Sequence, residues 1–315
     1  MWLITGAAGY IGSHVMKSFL ESGEDVFGID NYENGKRLRP SSLGVEVKNI
    51  DIRNRTEIEK LFSQFKFKGV INLAGLKSPT ESMRAPNRYH LTNAEGVKIL
   101  TEAALMNDIN IFIQSSSSSV YGNTKTLPMK EDIPLNPISP YGESKLRAEN
   151  ILLEYAKRFG LLSTCLRYFN VAGTALTSLR DDTNFNLFPV TFERLSKKLP
   201  AIIYGKDFDT EDGTCIRDFI HVQDVAELHL RFAKLLEGGR ILPPAINLGS
   251  GIGLSVLQVV ERIMQRTGLV TDIEFQPARF GDPAEVVGDV ELLTNTIGKI
   301  EMRSLDEMID SVIEY

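Results

Sequence analysis

The chain has 315 residues, roughly twice the common domain size, so two domains or one large α/β unit are the starting expectations. Its 43% hydrophobic and 24% charged residues are ordinary globular usage and exclude a disordered chain, while 25 Gly and 13 Pro exclude collagen-like and proline-rich architectures. The net charge of −6 leaves no basic excess to neutralise phosphates, which argues against nucleic acid as a partner but not against an anionic small molecule held by local donors.

The first half alternates short apolar runs with amphipathic stretches. Strands are expected at Trp2–Ile4, Asp25–Ile29, Val70–Leu73 and Ile111–Ile113, with helices at His14–Ser22, Arg55–Phe65 and Asn93–Met106 between them. A helix is expected from Ser139 to Lys157, then strands at Leu162–Arg167, Phe219–Val222 and Ala245–Leu248. A last helix should run from Ser255 to Gln265, where Ser255 and Gln258 have capping-box spacing. The alternation predicts an α/β fold of Rossmann type, a doubly wound parallel sheet over about residues 1–172. Between about 172 and 215 the alternation weakens, so 173–315 reads mainly as a smaller C-terminal substrate domain, with segments near 216–250 returning to the first.

Cys165 and Cys215 are the only cysteines, not in a C-x-x-C pair, so no disulfide framework is expected. Cys165 sits in an apolar stretch and reads as a small buried hydrophobe. No apolar run approaches the ~18–20 residues that span a bilayer. Met1–Ile4 runs straight into Thr5-Gly6 without a basic or leader-like segment, so a soluble, reducing, cytoplasmic setting is expected and no membrane partner.

Gly6-Ala-Ala-Gly9-Tyr10-Ile11-Gly12 lies between the first strand and the first helix. Glycines there let the backbone turn sharply and approach a phosphate at a helix N-terminus. Asp30 ends the next strand, 18 residues beyond Gly12. A carboxylate at that point accepts both ribose hydroxyls of an adenosine and repels a 2′-phosphate, favouring NAD over NADP. A second cluster, Gly249, Gly251 and Gly253, also follows a strand, but Asp272 begins rather than ends its strand. That cluster reads as a structural loop.

Tyr141 and Lys145 stand at i and i+4 of one helix face. A neighbouring ammonium lowers the pKa of a phenol and fits it to act as a base. Ser115–Ser119 are five serines in a row, directly after a buried strand rather than in a linker. The carboxyl end of a central strand is where an open α/β sheet takes its ligand, though five identical neighbours leave the reacting serine open.

Together these residues resemble the extended short-chain dehydrogenase/reductase family, and within it the UDP-glucose 4-epimerase group. The resemblance spans nearly the whole chain. It rests on Thr5–His14, Asp30-Asn31, Asp51-Ile52-Arg53, Asn72–Lys77, Ser115–Gly122, Ser139–Lys145, Arg167–Asn170 and Thr210–Val222. It implies Ser117, Tyr141 and Lys145 as catalytic residues, Lys145 also orienting the cofactor ribose. It implies that NAD is held by Gly6, Gly9, Tyr10, Ile11, Gly12, Asp30, Asn31, Asp51, Ile52, Leu73, Ala74, Gly75, Lys77, Asn93, Tyr168 and Phe169, with Tyr141 and Lys145. It implies a UDP-sugar held by Lys77, Ser117, Asn170, Asn186, Leu187, Tyr204, Arg217, Arg279 and Asp282, and no metal.

The implied activity is NAD-dependent 4-epimerisation of UDP-hexoses through a transient 4-keto sugar. The alternatives are another NAD-dependent nucleotide-sugar epimerase, such as one acting on UDP-glucuronate, or a non-catalytic nucleotide-sugar-binding regulator. Ser117-Ser118-Ser119 stand where a related dehydratase carries Thr-Asp-Glu, which argues against elimination. Val286 falls where some epimerases carry a bulky tyrosine, leaving room for a 2-N-acetyl group. The segment Thr174–Asn184 departs from the family pattern. Asn93–Met106 and Ser139–Lys157 resemble helices that pair across a two-fold axis, so a homodimer is expected.

Overall fold

The computed structural model describes residues 1–279 and 281–313. The strands in chain order are β1 (Trp2–Thr5), β2 (Val26–Asp30), β3 (Val47–Asn49), β4 (Val70–Asn72), β5 (Ile111–Ser117), β6 (Leu162–Tyr168), β7 (Asn170–Ala172), β8 (Ala201–Tyr204), β9 (Ile216–His221), β10 (Ala245–Leu248), β11 (Gly253–Ser255), β12 (Ile273–Gln276) and β13 (Glu285–Val286). Seven of them form one parallel sheet in the order β10-β6-β5-β4-β1-β2-β3. The order reverses direction between β1 and β4, which opens a crevice at the carboxyl ends of those strands.

Both faces of the sheet are covered, so its central strands β1, β4 and β5 begin with apolar runs and turn polar only at their carboxyl ends. Trp2, Ile4, Ile71 and Ile113 point to one side, where helices Tyr10–Glu21 and Val222–Glu237 pack through Phe19, Val225 and Phe232. Leu3, Val70 and Phe112 point to the other, against Ile58, Leu61 and Leu100 of helices Arg55–Gln64 and Gly96–Leu105 and Leu152 of Pro140–Phe159. A separate core of Phe188, Leu195, Ile203, Phe219, Val260, Ile263 and Ile309 lies under a four-stranded sheet of β7, β9, β11 and β13 and a β8–β12 pair.

Several boundaries move from the sequence reading. The first helix starts at Tyr10 rather than His14, because the glycine turn closes directly onto it. The strand expected at Ile111–Ile113 continues to Ser117, so three of the five serines are strand residues. The stretch expected to be helical from Asn93 opens as a turn of π-helix over Leu91–Glu95. The helix Val222–Glu237 was not expected at all, since its N-cap is His221, whose Nδ1 accepts from Gln223 N at 3.0 Å, instead of a Ser, Thr, Asn or Asp. Ser255, by contrast, forms the expected capping box with Gln258.

The second glycine cluster is filled by the protein's own carboxylate. Asp218 accepts from Ser250 N at 2.7 Å, Ser250 Oγ at 2.8 Å, Gly251 N at 3.1 Å and Gly288 N at 3.2 Å. The N–H groups that could cradle a phosphate are therefore already used.

Candidate functional site

A cavity of about 810 Å³ follows the crevice at the strand ends. At its floor the glycine turn is held by close backbone packing. Gly6 has φ +65°, and a Cβ there would lie 2.7 Å from the Leu73 carbonyl carbon and Ala74 N. A Cβ on Gly12 would collide with the Gly6 carbonyl oxygen. The turn thus lays the N-terminus of helix Tyr10–Glu21 open to the cavity, a geometry suited to a diphosphate.

Asp30 ends β2 with its carboxylate fixed by Ala8 N at 3.0 Å and Tyr32 N at 2.7 Å, and burial pushes its pKa up. Its remaining acceptor sites are those a ribose would use. Asp51 accepts from Asn31 Nδ2 at 3.0 Å and from Arg53 Nε at 2.9 Å, and the Arg53 hydrogen bonds bring its pKa to about 2. Ile52 completes that end of the cavity. The loop Leu73–Lys77 forms the opposite rim, held by Asn93: its Oδ1 accepts from Leu76 N at 2.8 Å, and its Nδ2 donates to Leu76 O and to Ser144 Oγ, both at 3.0 Å. Asn93 therefore stands behind the wall and does not line the cavity itself.

The reacting groups come from β5 and the Pro140–Phe159 helix. Tyr141, Lys145 and Glu149 recur every four residues and so share one face. Each meets a different serine of β5. Tyr141 faces the Ser117 hydroxyl, which itself donates to Ser119 Oγ at 3.1 Å, Lys145 Nζ donates to Ser115 O at 2.9 Å and to Ser115 Oγ at 3.3 Å, and Glu149 Oε1 accepts from Ser116 Oγ at 2.5 Å. Burial raises the Tyr141 pKa, and the neighbouring Ser117 hydroxyl opposes that rise. Burial brings Lys145 down to about 8. Tyr168 and Phe169 form the adjoining floor, where Tyr168 OH donates to Nε2 of His229, a histidine that burial lowers to about 4.

The polar residues expected at the sugar nucleotide fall in two groups. Lys77, Ser117, Asn170, Asn186 and Leu187 line the same cavity as the glycine turn. Burial lowers the pKa of Lys77, whose ammonium lies 5.3 Å from the Phe185 ring centroid. Tyr204, Arg217, Arg279 and Asp282 do not line it. Arg279 instead sits over the Tyr204 ring, 4.0 Å from its centroid, Asp282 N donates to the Arg279 carbonyl at 3.2 Å, and Arg217 donates to the Ile216 carbonyl at 2.8 Å. Cys165 is buried with its thiol pKa pushed well up, an inert state.

The sequence reading missed Lys36, Arg39 and the strap at Arg180–Asn184, all of which wall the cavity. Arg39 is 3% exposed; it donates to Ala8 O on the glycine turn at 3.3 Å, to Arg180 O at 2.9 Å and to Asp182 Oδ1 at 2.9 Å, and Lys36 pairs with the same Asp182. The departure at Thr174–Asn184 thus belongs to a strap pinned to the glycine turn. No motif announces it, because partners 141 to 143 residues apart leave no local spacing.

Residues 2–249 match the NAD dependent epimerase/dehydratase family. The chain belongs to that family. It is 37% identical to a UDP-glucose 4-epimerase of Erwinia amylovora, over 98% of this chain and 95% of the relative. Its fold superposes with a TM-score of 0.93 on a UDP-glucose 4-epimerase from Stenotrophomonas maltophila with bound NAD and formylated UDP-arabinopyranose, at 31% identity and covering 99% and 96% of the two chains. It also matches a UDP-Glc/GlcNAc 4-epimerase from Campylobacter jejuni, with a TM-score of 0.85, 32% identity and coverage of 99% and 98%.

The depressed Lys145 pKa has a thermodynamic signature. Between about pH 8 and the ordinary lysine value of 10.5 the unfolded chain binds more protons here than the folded one, so this residue's contribution makes folding more favourable as pH rises through that window. In urea unfolding of the nucleotide-free protein, Lys145→Met should remove that part of the upward slope; an unchanged slope would show that Lys145 is not held near 8.

Proposed function

We propose that the protein interconverts UDP-hexoses at the sugar 4-position with a resident NAD. The observation that carries this reading is the union, in one cavity, of the acidic end of β2, the glycine turn and the Ser117–Tyr141 pair backed by Lys145. The residues present fit the cofactor: the turn leaves no space for side chains where a diphosphate would pass, and Asp30 is fixed with acceptors free for ribose hydroxyls. When bound, NAD supplies a reversible acceptor for the hydride at sugar C4.

The chain's own residues do the rest. Tyr141 takes the proton of the 4-hydroxyl, directly or through Ser117, and returns it to the new hydroxyl after the ketose has turned over. Its phenol, raised by burial, becomes a usable base when a positive charge lies beside it. Lys145 supplies one such charge on the same helix face, and its Nζ, anchored on the Ser115 carbonyl, has donors left for a ribose. The strap from Arg180 to Asn184 covers the cavity and keeps water from the ketose. We assign Asn170, Asn186, Leu187 and Lys77 to the sugar and diphosphate, and the Tyr204–Arg279 stack with Arg217 and Asp282 to the uridine end, where forked guanidinium donors suit phosphate oxygens.

Proton NMR of UDP-galactose incubated with the protein tests the reading. UDP-glucose should appear without added cofactor and Tyr141→Phe should lose at least about 10²-fold in rate; an inert parent protein would sink it. Acceptance of N-acetyl sugars is the finer proposal. Val286 is small and packs against the cluster of Val120, Met129 and Phe169, and Phe169 lines the cavity. Val286→Tyr should therefore lower turnover of UDP-N-acetylglucosamine by about tenfold or more relative to UDP-glucose; an unchanged ratio removes the argument.

A homodimer is proposed from exposed apolar side chains on the paired helical layer. Leu153 and Phe159 of the Pro140–Phe159 helix are 36% and 55% exposed, and Leu91 and Met106, flanking the Gly96–Leu105 helix, are 54% and 77% exposed. Sedimentation at micromolar concentration should give twice the 35.1 kDa chain mass, with a single-chain mass counting against the proposal.

A further inference from the structure

Beneath the reacting serine lies a buried charge pair that the chemistry above does not use. Arg167 on β6 grips Glu149 in a two-pronged contact, Nε to Oε1 at 3.0 Å and Nη2 to Oε2 at 2.7 Å, with both side chains under a tenth exposed. A buried pair of this kind is weak evidence of stabilisation, since desolvating two charges offsets their attraction. Its connections point elsewhere. Glu149 Oε1 also accepts the Ser116 hydroxyl at 2.5 Å, and Ser116 immediately precedes Ser117. Arg167 is itself held from behind, Nη1 donating to Tyr121 OH at 3.0 Å and to Glu131 O at 3.1 Å, while Tyr121 OH donates to Asn247 Oδ1 at 2.6 Å. Asn247 N closes the network on Glu131 Oε1 at 2.8 Å. Three strands of the sheet (β5, β6 and β10) are thereby tied to one carboxylate on the helix that also carries Tyr141 and Lys145.

We propose that Glu149, locked by Arg167, is a positioning residue: by receiving the Ser116 hydroxyl it fixes where the end of β5 sits along the Pro140–Phe159 helix, and so sets the approach of Ser117 to the Tyr141 phenol. Of the three serine contacts along the helix, two involve groups that touch the reaction and would shift as ligands bind. The third, at Ser116, faces a carboxylate clamped by a rigid fork and serves as the fixed reference. The inference rests on the 4-epimerase reading only for the step it positions; the geometry it concerns exists without substrate.

Glu149→Gln leaves Arg167 without its counter-charge and will unfold more readily, so the deciding variant is Ser116→Ala, in which the ion pair stays whole. In the full chain with its cofactor bound, Ser116→Ala is expected to lower kcat for UDP-galactose by about ten- to a hundred-fold with KM within about twofold. Ser116→Thr, which keeps a hydroxyl, is expected to recover most of that loss. A readout independent of turnover is the titration of the Tyr141 phenol, taken as the absorbance difference between each protein and its Tyr141→Phe counterpart. That phenol faces Ser117 from β5, Tyr168 from β6, the edge of Tyr89, and Lys145 on its own helix. Only the Ser117 contact changes in Ser116→Ala, so the titration should move upward. Unaltered kcat together with an unmoved titration overturns the proposal. Should the parent protein turn over no UDP-hexose, the 4-epimerase reading fails while the titration still decides this one: an upward move supports it and no move overturns it.

Discussion

The packing of the Pro140–Phe159 helix against the end of β5 is the constraint on which the site depends. A helix repeats a face every 3.6 residues and a strand every 2, so the two can be matched only over a short stretch and in one register. Here Tyr141, Lys145 and Glu149 each find a different serine, and small hydroxyl side chains allow the approach. Larger residues at 115–117 would push the helix away, and apolar ones would take one hydroxyl partner each from Lys145 and Glu149, which would keep only the Ser115 backbone carbonyl and the Arg167 fork. The serine run is thus a packing solution as well as a chemical one.

Burial acts differently on each charged group around the cavity. It raises Tyr141 and Asp30 and lowers Lys145 and Lys77, in every case disfavouring the ion. A diphosphate brought into this space would favour the ammonium of Lys77, and an acceptor with positive charge beside Tyr141 would favour the phenolate. Burial thus disfavours the charged forms that a ligand carrying both charges would favour. The strap at Arg180–Asn184, tied to the glycine turn through Arg39 and Lys36, narrows access of water to these groups, and less water screens their charge interactions less.

Much of the architecture was legible because it follows from local rules. The alternation of apolar runs with amphipathic helices gave the parallel sheet, the glycine spacing gave the first turn, and Ser255 with Gln258 gave a helix start. What escaped was set by contacts distant in sequence or by unusual caps. His221 begins a 16-residue helix that propensity alone does not announce. Asp218 fills the second glycine cluster from 32 residues upstream of Ser250, a solution invisible to a motif read in isolation. Tyr141 and Lys145 could be read as a pair because their spacing lies within one helix, whereas Asn93 shows only in the structure as the pin between a rim loop and that helix.

The separation of Tyr204, Arg217, Arg279 and Asp282 from the cavity follows from the same division between local and distant constraints. These residues lie on or beside β8, β9 and β13, outside the seven-stranded sheet, with Ile203 of β8 and Phe219 of β9 in the separate smaller core. Under the assignment proposed above, a substrate held at its uridine end by these residues and at its sugar by Ser117 and Tyr141 would reach from the cavity to the smaller core. Arg279, with its guanidinium carbon 4.0 Å from the Tyr204 ring centroid, places a cation beside an aromatic face, a pairing that under the proposed assignment would serve a base and phosphate without constraining the sugar. Binding energy spent at that end leaves the hexose held by few contacts near the reacting atoms, which is what a reaction requires when the same sugar must expose first one face and then the other.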